Sequence, residues 1–285
     1  MNVYKEKSSM KKQAKLSSQE IHQFKKKIYD HYKKHGRILP WRRTENPYQI
    51  LVSEIMLQQT QVVRVIEKYE QFIHTFPDIE SVARAPLRDI LKVWQGLGYN
   101  RRALALKKLA QIIVDHYDGT IPSTMEALKA LPGIGSATAG AICAFAFNQP
   151  AVFIETNIRS VFIDHFFRNR HDVKDIEILP LIEKTLDTKN PRIWYYALMD
   201  YGVALKERHD SVNRRSAHYT KQSPFEGSNR QIRGMILKAL VSKPVISETA
   251  LLKKINLHDE MVKQSLRQLC DEGLIMKKGK YITIG

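Results

Sequence analysis

Apolar residues recur at intervals of three and four along most of this chain, which is the period of an α-helix with one buried face. One such stripe comprises Ile21, Phe24, Ile28 and Tyr32. A second comprises Val62, Val65, Ile66, Tyr69, Phe72 and Ile73. Further helical runs, separated by Pro, Gly or Asp-Gly breaks, are predicted over residues 86–94, 100–117, 124–131, 138–147, 155–167, 175–187 and 191–205. No convincing strand pattern precedes residue 275, so residues 18–205 are predicted to form one all-α domain.

The helical pattern ends after residue 205. Residues 206–228 are rich in charged and turn-forming side chains and predict a basic linker or an ordered loop. Residues 229–285 predict three short helices and then two strands around a Lys-Gly turn, an arrangement typical of a winged-helix-like module. Residues 1–17 are polar and Lys-rich, which predicts a flexible basic arm.

The winged-helix-like module leaves two interpretations open. Modules of this kind bind DNA with their third helix, which here carries Lys263, Gln264 and Arg267. Many others bind proteins, and the sequence does not choose between these two uses.

The charge balance of the chain narrows the class of partner. It has 46 Lys and Arg residues against 29 Asp and Glu, a formal net charge of +17 and a pI near 9.7. Such a surface attracts polyanions, of which nucleic acid is the commonest, although charge alone does not establish binding.

Cysteine usage and apolar runs exclude several classes of protein. Cys143 and Cys270 lie far apart and have no neighbouring Cys or His at metal-ligand spacing, which argues against a disulfide framework and a zinc site. The sequence has no apolar run long enough to span a bilayer, and its Lys-rich N-terminus lacks the apolar core of an export signal. We therefore expect a soluble protein that stays in the cytoplasm.

A glycine-rich hairpin is the strongest local signal. It lies between two predicted helices and reads Leu131-Pro132-Gly133-Ile134-Gly135. Gly133 and Gly135 permit a tight turn that exposes backbone N–H groups at a helix N-terminus, where the helix dipole favours a phosphate oxygen. The hairpin predicts a grip on a DNA backbone, although an ordinary helix connection can also contain this pattern.

Two carboxylates are candidates for catalysis. Glu54 lies within an apolar stretch, so we expect its pKa to be raised, as a general acid requires, unless it lies on an exposed helix face. Glu155 opens a predicted helix together with Asn157 and is either an N-terminal cap or the anion that stabilises an oxocarbenium-like sugar. Asn157 either orients a catalytic group or caps the same helix.

Five motifs together resemble adenine DNA glycosylases of the MutY type, a branch of the helix-hairpin-helix DNA glycosylase superfamily. In chain order they are Leu39-Pro40-Trp41-Arg42, Ser53-Glu54-Ile55-Met56-Leu57-Gln58-Gln59-Thr60-Gln61, Trp94-Gln95-Gly96-Leu97-Gly98-Tyr99, Leu131-Pro132-Gly133-Ile134-Gly135 and Ala197-Leu198-Met199-Asp200-Tyr201-Gly202. The resemblance covers residues 20–205. It implies the helix-hairpin-helix glycosylase fold and excision of a base from duplex DNA.

The resemblance also implies a role for individual residues. Glu54 matches the acid that protonates the purine and later activates water, and Glu155 matches an Asp that stabilises the sugar cation. Gln59 matches the residue wedged into the base stack, and Tyr99 lies in the segment that probes the opposite strand. The residues expected around the adenine are Arg37, Leu39, Trp41, Arg42, Leu57 and Tyr196. The residues expected to contact DNA are Gln58, Gln59, Thr60, Tyr99, Gly133, Gly135, Ser136, Thr138, Arg214, Arg215, Lys263 and Arg267.

The chain departs from this family pattern at four points. Glu155 is one methylene longer than the family Asp, and Tyr196 stands where relatives place Gln or Glu against the adenine edge. Lys206 occupies the position of the first iron–sulfur cysteine, and the other three cysteines are absent, so we expect no cluster, no other metal and no cofactor. The family's C-terminal module for 8-oxoguanine is replaced by the winged-helix-like module. We expect a basic loop with Arg214, Arg215, His218, Tyr219 and Lys221 to contact the DNA backbone in place of the cluster.

One further position bears on the reaction. Bifunctional relatives carry a Lys just after the hairpin that forms a Schiff base with the sugar, and this chain has Ala137 there. The resemblance and Ala137 together imply a monofunctional, monomeric, nucleoid-associated glycosylase for adenine opposite 8-oxoguanine or guanine. A glycosylase for uracil or thymine opposite guanine and a non-catalytic DNA-binding protein remain alternatives.

Overall fold

The computed structural model of the chain describes residues 16–208, 212–222 and 224–285. The first part of the chain forms α1 (Ser18–His35), α2 (Pro47–Leu57), α3 (Val62–Thr75), α4 (Ile79–Arg84), α5 (Leu87–Trp94), α6 (Arg101–Tyr117), α7 (Met125–Ala130) and α8 (Ser136–Phe147). The second part forms α9 (Thr156–Phe166), α10 (Asp175–Thr185), α11 (Pro191–Arg208), α12 (Asn229–Ser242), β1 (Val245–Ser247), α13 (Glu248–Ile255), α14 (Asp259–Asp271), β2 (Ile275–Lys278) and β3 (Tyr281–Ile284). The prediction of a predominantly helical chain is confirmed.

Three elements differ from the sequence-based expectation. The helix α2 was not recognised because it is apolar on nearly every face and therefore has no stripe to detect. The helix α4 spans only six residues, which is too short for a period to emerge. The expectation of no strand before residue 275 was wrong, because β1 pairs antiparallel with β3. A three-residue strand is recognisable only by its partner.

The described chain divides into two compact units. Unit 1 comprises residues up to 37 together with 154–187 and 193–218, and unit 2 comprises residues 38–153, 188–192 and 219–285. The predicted arm at residues 1–17 lies outside the described residues except for its last two. Of those two, Ser17 caps α1, because its hydroxyl accepts from the Glu20 amide at 3.2 Å.

Unit 1 is built around aromatic side chains. Phe24 of α1 packs against Phe162 of α9 with 5.4 Å between ring centroids and against Trp194 of α11 with 5.9 Å. Lys25 and Tyr29 of α1 bind the end of α10 through the Leu186 carbonyl oxygen and the Asp187 carboxylate. These contacts order the three chain segments of unit 1 around one apolar core.

Unit 2 contains α2 to α8 and the C-terminal module. The three strands of the module form an antiparallel sheet in the order β1, β3, β2, and β2 and β3 are joined by a turn at Gly279. Within this unit, Arg88 of α5 donates two hydrogen bonds to the Val241 carbonyl oxygen near the end of α12, at 3.0 and 2.7 Å. The module is therefore anchored to the helix that precedes the Trp94–Tyr99 segment. In the described part of the chain, no helix has the length and apolarity needed to cross a membrane.

A close approach in unit 2 can be tested by mutation. Gly140 lies inside α8, and a Cβ there would stand 2.6 Å from the Cβ of Phe153, whereas a Cβ on Gly234 in α12 would meet no atom within 4 Å. We expect Gly140→Ala to lower the free energy of unfolding by about 1–3 kcal/mol through overpacking. We expect Gly234→Ala to raise it by about 0.5–1 kcal/mol through helix propensity. Urea unfolding measures both, and equal effects of the two variants would contradict the packing described.

Candidate functional site

The helix α2 carries Glu54. The side chain of Asn46 caps its start by accepting from the amides of Tyr48 and Gln49, and Pro47 fills the first position. The helix is buried along most of its length, and Glu54 is half-buried in its last turn between the buried residues Ser53 and Ile55. The raised pKa expected for Glu54 stays a prediction.

A tight turn follows α2 at Gln58, Gln59 and Thr60. Gln59 is exposed and adopts a left-handed backbone conformation with φ of 54°. The Gln58 side-chain amide donates to the Gly133 carbonyl oxygen and to the Thr138 hydroxyl, both at 3.1 Å. The structure thus brings the turn after α2 and the glycine-rich hairpin together within unit 2.

The hairpin joins α7 to α8 and presents its glycines at the surface. Gly133 has φ of 83°, a backbone conformation that favours glycine. A Cβ at this position would also stand 2.7 Å from the Cβ of Ala105, so there is no space for a side chain. Gly135 caps α8 without a side-chain hydrogen bond, and Ser136 and Ala137 are exposed in the first turn. The N–H groups of this turn therefore face solvent and suit a phosphate oxygen.

One buried arginine that sequence reasoning did not single out holds this region together. The Arg102 side chain is 8% exposed, and its Nη1 donates to the carbonyl oxygens of Ile55, Met56 and Gln58 at 3.0, 2.7 and 2.6 Å. Its Nη2 donates to the Thr60 hydroxyl at 2.9 Å and to the Gly98 carbonyl oxygen at 3.0 Å. A single guanidinium therefore binds the end of α2, the turn after it and the segment before Tyr99.

The guanidinium of Arg102 is also packed between rings. It lies 5.5 Å from the ring centroids of both Trp94 and Tyr99, a cation–π arrangement. Burial lowers the pKa of Arg102 to about 10, which leaves the group protonated at neutral pH. Its charge is offset by carbonyl dipoles and aromatic faces.

A cleft of about 310 Å³ opens beside this arginine. The side chains and backbone that line it include Gln58, Gln59, Tyr99, Arg101, Arg102 and Gly133. Several of the predicted DNA-contacting residues therefore border one cavity in unit 2.

Tyr99 is held by the C-terminal part of the chain as well. Its backbone is left-handed with φ of 46°. Its hydroxyl accepts from the Arg230 guanidinium at 3.4 Å and from the side-chain amide of Gln222. Side chains of the linker and of the first turn of α12 thus bind the residue that is expected to probe the opposite strand. Because these residues are distant in the chain, no local sequence pattern indicates the contact.

In unit 1, Glu155 lies at the start of α9 and is its N-cap. Its Oε1 accepts from the Ile158 amide at 2.7 Å, and its Oε2 accepts from the Asn157 side-chain amide at 3.0 Å. The Asn157 side-chain oxygen in turn accepts from the ammonium of Lys206 at 2.8 Å. Both interpretations of Glu155 stay compatible with this geometry, because a capping carboxylate is also an oriented anion.

The residues predicted around the adenine belong to both units. In unit 1, Arg37 forms an ion pair with the buried Asp200 at 2.7 Å, and Tyr196 is 4% exposed. In unit 2, Trp41 is buried and packs edge-on against Tyr69 with 5.5 Å between centroids. Leu39 is also buried, whereas Arg42 and Leu57 are half-buried.

The predicted basic loop is used in part for internal contacts. The Arg215 guanidinium donates to the carbonyl oxygens of Phe167 and Arg170 beyond the end of α9, and the His218 ring nitrogen lies 3.7 Å from the Asp175 carboxylate. Arg215 therefore caps a helix, while the neighbouring Arg214 is exposed. In the C-terminal module, Lys263 is half-buried and the exposed Arg267 pairs with Glu260 at 2.9 Å.

The residues present do not fit an iron–sulfur cluster. The chain has two cysteines, fewer than the four thiolates that such a cluster uses. Cys143 is buried in α8, and burial raises the pKa of its thiol. Within the described ranges, no group of three or more His, Cys, Asp or Glu side chains is arranged to hold a metal ion.

Comparison with known proteins agrees with the motifs. Residues 52–180 match the family model of HhH-GPD superfamily base excision DNA repair proteins. The chain is 38% identical over 187 residues to the adenine DNA glycosylase of Buchnera aphidicola subsp. Baizongia pistaciae, covering 64% of this chain and 52% of that protein. It is 30% identical over 251 residues to the adenine DNA glycosylase of Mus musculus, covering 80% and 46%. The chain thus spans about half the length of these curated relatives.

Solved structures confirm the predicted fold class. A thermostable thymine-DNA glycosylase superimposes with a TM-score of 0.58 at 28% identity, over 64% of this chain and 85% of that one. A trapped endonuclease III–DNA covalent intermediate gives a TM-score of 0.58 at 20% identity, over 74% and 91%. The helix-hairpin-helix glycosylase fold is therefore established for this chain.

The role of Arg102 can be tested by comparison with its neighbour. We expect Arg102→Lys to lower the free energy of unfolding by about 2–4 kcal/mol, because one ammonium cannot satisfy carbonyl oxygens on both segments. The exposed Arg101 lines the same cleft, and Arg101→Lys should change stability by less than about 0.5 kcal/mol. Urea unfolding and hydrogen exchange around residues 57–60 and 97–99 measure this, and similar losses in the two variants would contradict it.

Proposed function

We propose that this chain, whose residues 52–180 match the HhH-GPD superfamily of base excision DNA repair proteins, hydrolyses the N-glycosidic bond of adenine mispaired with 8-oxoguanine or guanine. The observation that carries the proposal is the position of Glu54, which precedes by one helical turn the Gln58–Thr60 turn that is bound to the hairpin. The similarity to curated adenine DNA glycosylases supports the choice of base.

Excision requires that the adenine leave the base stack, because the bond to be cut is inaccessible in a duplex. Gln59 suits this step, since it is exposed at the tip of a turn whose backbone is fixed by Arg102. A rigid wedge holds a nucleotide out of the helix at a smaller entropic cost than a mobile one. The hairpin N–H groups and Thr138 would hold the phosphate backbone meanwhile.

Glu54 and Glu155 have different roles in the proposed reaction. Glu54, as an acid, donates a proton to the adenine ring, so that the C1′–N9 bond breaks and its electron pair leaves with the neutral base. Glu155, as an anion, stabilises the positive charge that develops on the sugar. Water then adds to C1′ and loses a proton to the Glu54 carboxylate, which leaves free adenine and an abasic site.

We further propose that the backbone stays intact at this abasic site. Strand cleavage by a lyase route needs an amine to attack C1′, and the position after the hairpin is Ala137, exposed in the first turn of α8. We also propose that the protein acts as a monomer on duplex DNA in the cytoplasm, associated with the nucleoid, and that it uses no cofactor.

The C-terminal module is proposed to take part in DNA binding. The anchor from Arg88 to α12 and the contacts of Arg230 and Gln222 with Tyr99 support this use over a purely protein-binding one. Guanidinium and amide donors beside Tyr99 suit the O6 and N7 acceptors of guanine.

A second candidate is excision of thymine or uracil opposite guanine. The observation that favours it is the structural similarity to a thymine-DNA glycosylase. The Tyr196 side chain, in place of the family's amide or carboxylate, adds support because a hydrogen-bonding readout of adenine would be weaker.

The substrate is tested by single-turnover excision on matched duplexes. They contain adenine opposite 8-oxoguanine, adenine opposite guanine, uracil opposite guanine or thymine opposite guanine, each analysed with and without alkali. We expect adenine release that becomes visible as strand breaks only after alkali. Glu54→Gln should lower this rate by at least about 10²-fold, because it removes the general acid.

Each other outcome has its own meaning. Release of a pyrimidine alone would replace the adenine assignment by the second candidate. Strand breaks without alkali would contradict the monofunctional assignment. Binding without any excision would make the chain a non-catalytic DNA-binding protein.

The adjacent arginines of the basic loop give a test of backbone contacts. We expect Arg214→Ala to reduce the slope of log affinity against log salt by roughly 0.9, as the loss of one phosphate contact does. We expect Arg215→Ala mainly to lower thermal stability, because carbonyl oxygens beyond the end of α9 lose their donor. An unchanged salt slope in Arg214→Ala would remove this residue from the DNA interface.

A further inference from the structure

A half-buried lysine in unit 1 is linked to Glu155 by two hydrogen bonds in series. Lys206 donates to the Asn157 side-chain oxygen at 2.8 Å, and the Asn157 side-chain amide donates to Glu155 Oε2 at 3.0 Å. The Asn157 side chain therefore uses both of its polar groups in this chain of contacts. Because Oε1 is bound to the Ile158 amide, both carboxylate oxygens of Glu155 have a partner.

The backbone is shaped to permit this contact. Gly202 lies one helical turn before Lys206 in α11, and a Cβ there would stand 2.5 Å from the Asn157 backbone oxygen and 2.8 Å from its Cβ. The absence of a side chain at Gly202 lets α11 approach the start of α9 closely. At this separation the Lys206 side chain reaches Asn157.

We propose that Lys206 is a positioning residue for Glu155, whose carboxylate it orients through Asn157 for the stabilisation of the sugar cation. This inference rests on the proposed function, because it gives Lys206 a role in the same reaction. The series of hydrogen bonds restrains the rotation of the Glu155 carboxylate and places a positive charge two hydrogen bonds away from it. A longer carboxylate such as Glu gains more from such a restraint, because it has one more rotatable bond than Asp.

The electrostatic setting supports this role. Burial lowers the pKa of Lys206, the charge of Glu155 raises it, and the charge of Arg159 lowers it. Arg159 is itself bound to Asp175 at 2.6 and 2.7 Å, and His218 lies 3.7 Å from the same carboxylate. The Arg159 charge is thus compensated locally, which leaves the Lys206 charge to act on Glu155. The N-terminus of α9 also favours the anion.

The first test compares three lysine variants in single-turnover excision of adenine. Lys206→Met, which keeps the aliphatic stem and loses the charge, should lower the rate at saturating protein roughly tenfold. Lys206→Arg should recover most of this rate. Lys184→Met removes an exposed charge from α10 of the same unit and should leave the rate unchanged. The half-saturating protein concentration should change less than about twofold in all three.

Substitution of Asn157 tests whether Lys206 acts on Glu155 through this residue. If Lys206 acts through Asn157, Asn157→Leu and Lys206→Met should have effects that are not additive, so that the double variant is about as slow as the slower single one. Additive losses, or a change confined to the half-saturating concentration, would overturn the proposal. Urea unfolding confirms that each variant is folded, and Lys206→Gln replaces Lys206→Met if the latter is not.

NMR of the protein labelled at Asn gives a readout that does not depend on excision. We expect Lys206→Met to shift the signal of the Asn157 side-chain amide, because the oxygen of that amide loses its donor, and Asn157→Leu assigns the signal. An unmoved Asn157 signal in Lys206→Met contradicts the Lys206 role, whereas absence of excision by the unaltered protein contradicts the proposed function instead.

Discussion

The structure of the region around the glycine-rich hairpin depends on one buried positive charge. Arg102 holds carbonyl oxygens at the end of α2 and before Tyr99, and these two segments contain the left-handed residues Gln59 and Tyr99. A left-handed conformation of a residue other than glycine is costly and persists only when the surroundings impose it. The guanidinium supplies that constraint on both segments at once. The turn at Gln59, the cleft beside it and the position of Tyr99 follow from the same group.

Arg102 is one instance of a pattern that runs through the protein. Lysine and arginine side chains bind the carbonyl oxygens at the ends of several helices: Arg88 at α12, Arg102 at α2, Lys107 at α4, Arg192 at α8 and Arg215 at α9. The helix dipole makes these ends partly negative, so a cation there is stabilising. A part of the net charge of +17 therefore serves the fold. Composition alone does not reveal this structural share of the charge.

The sequence predicted those parts of the fold and site that rest on local pattern. Amphipathic helices such as α1 and α3 have one buried stripe, which the sequence pattern reveals. The mostly buried α2 has no such stripe, and the short strand β1 is recognisable only by a partner distant in the chain. The hairpin was found because glycine at Gly133 answers a local backbone requirement. The links from Gln58 to Gly133 and from Lys206 to Asn157 join residues 75 and 49 positions apart and have no local pattern.

The adjacent residues Arg101 and Arg102 show the limit of what the sequence can predict. By itself it determined that a basic, largely helical chain carries a glycine hairpin, two separated carboxylates and the motifs of a helix-hairpin-helix glycosylase. It could not distinguish two neighbouring arginines of identical chemistry. Only the tertiary structure decided that Arg101 faces solvent and that Arg102 is buried among carbonyl oxygens. The burial of each side chain depends on how α6 packs against α2 and α5. The same holds for Arg214 and Arg215, since helix-end carbonyl groups become available to a side chain only when the chain has folded around them.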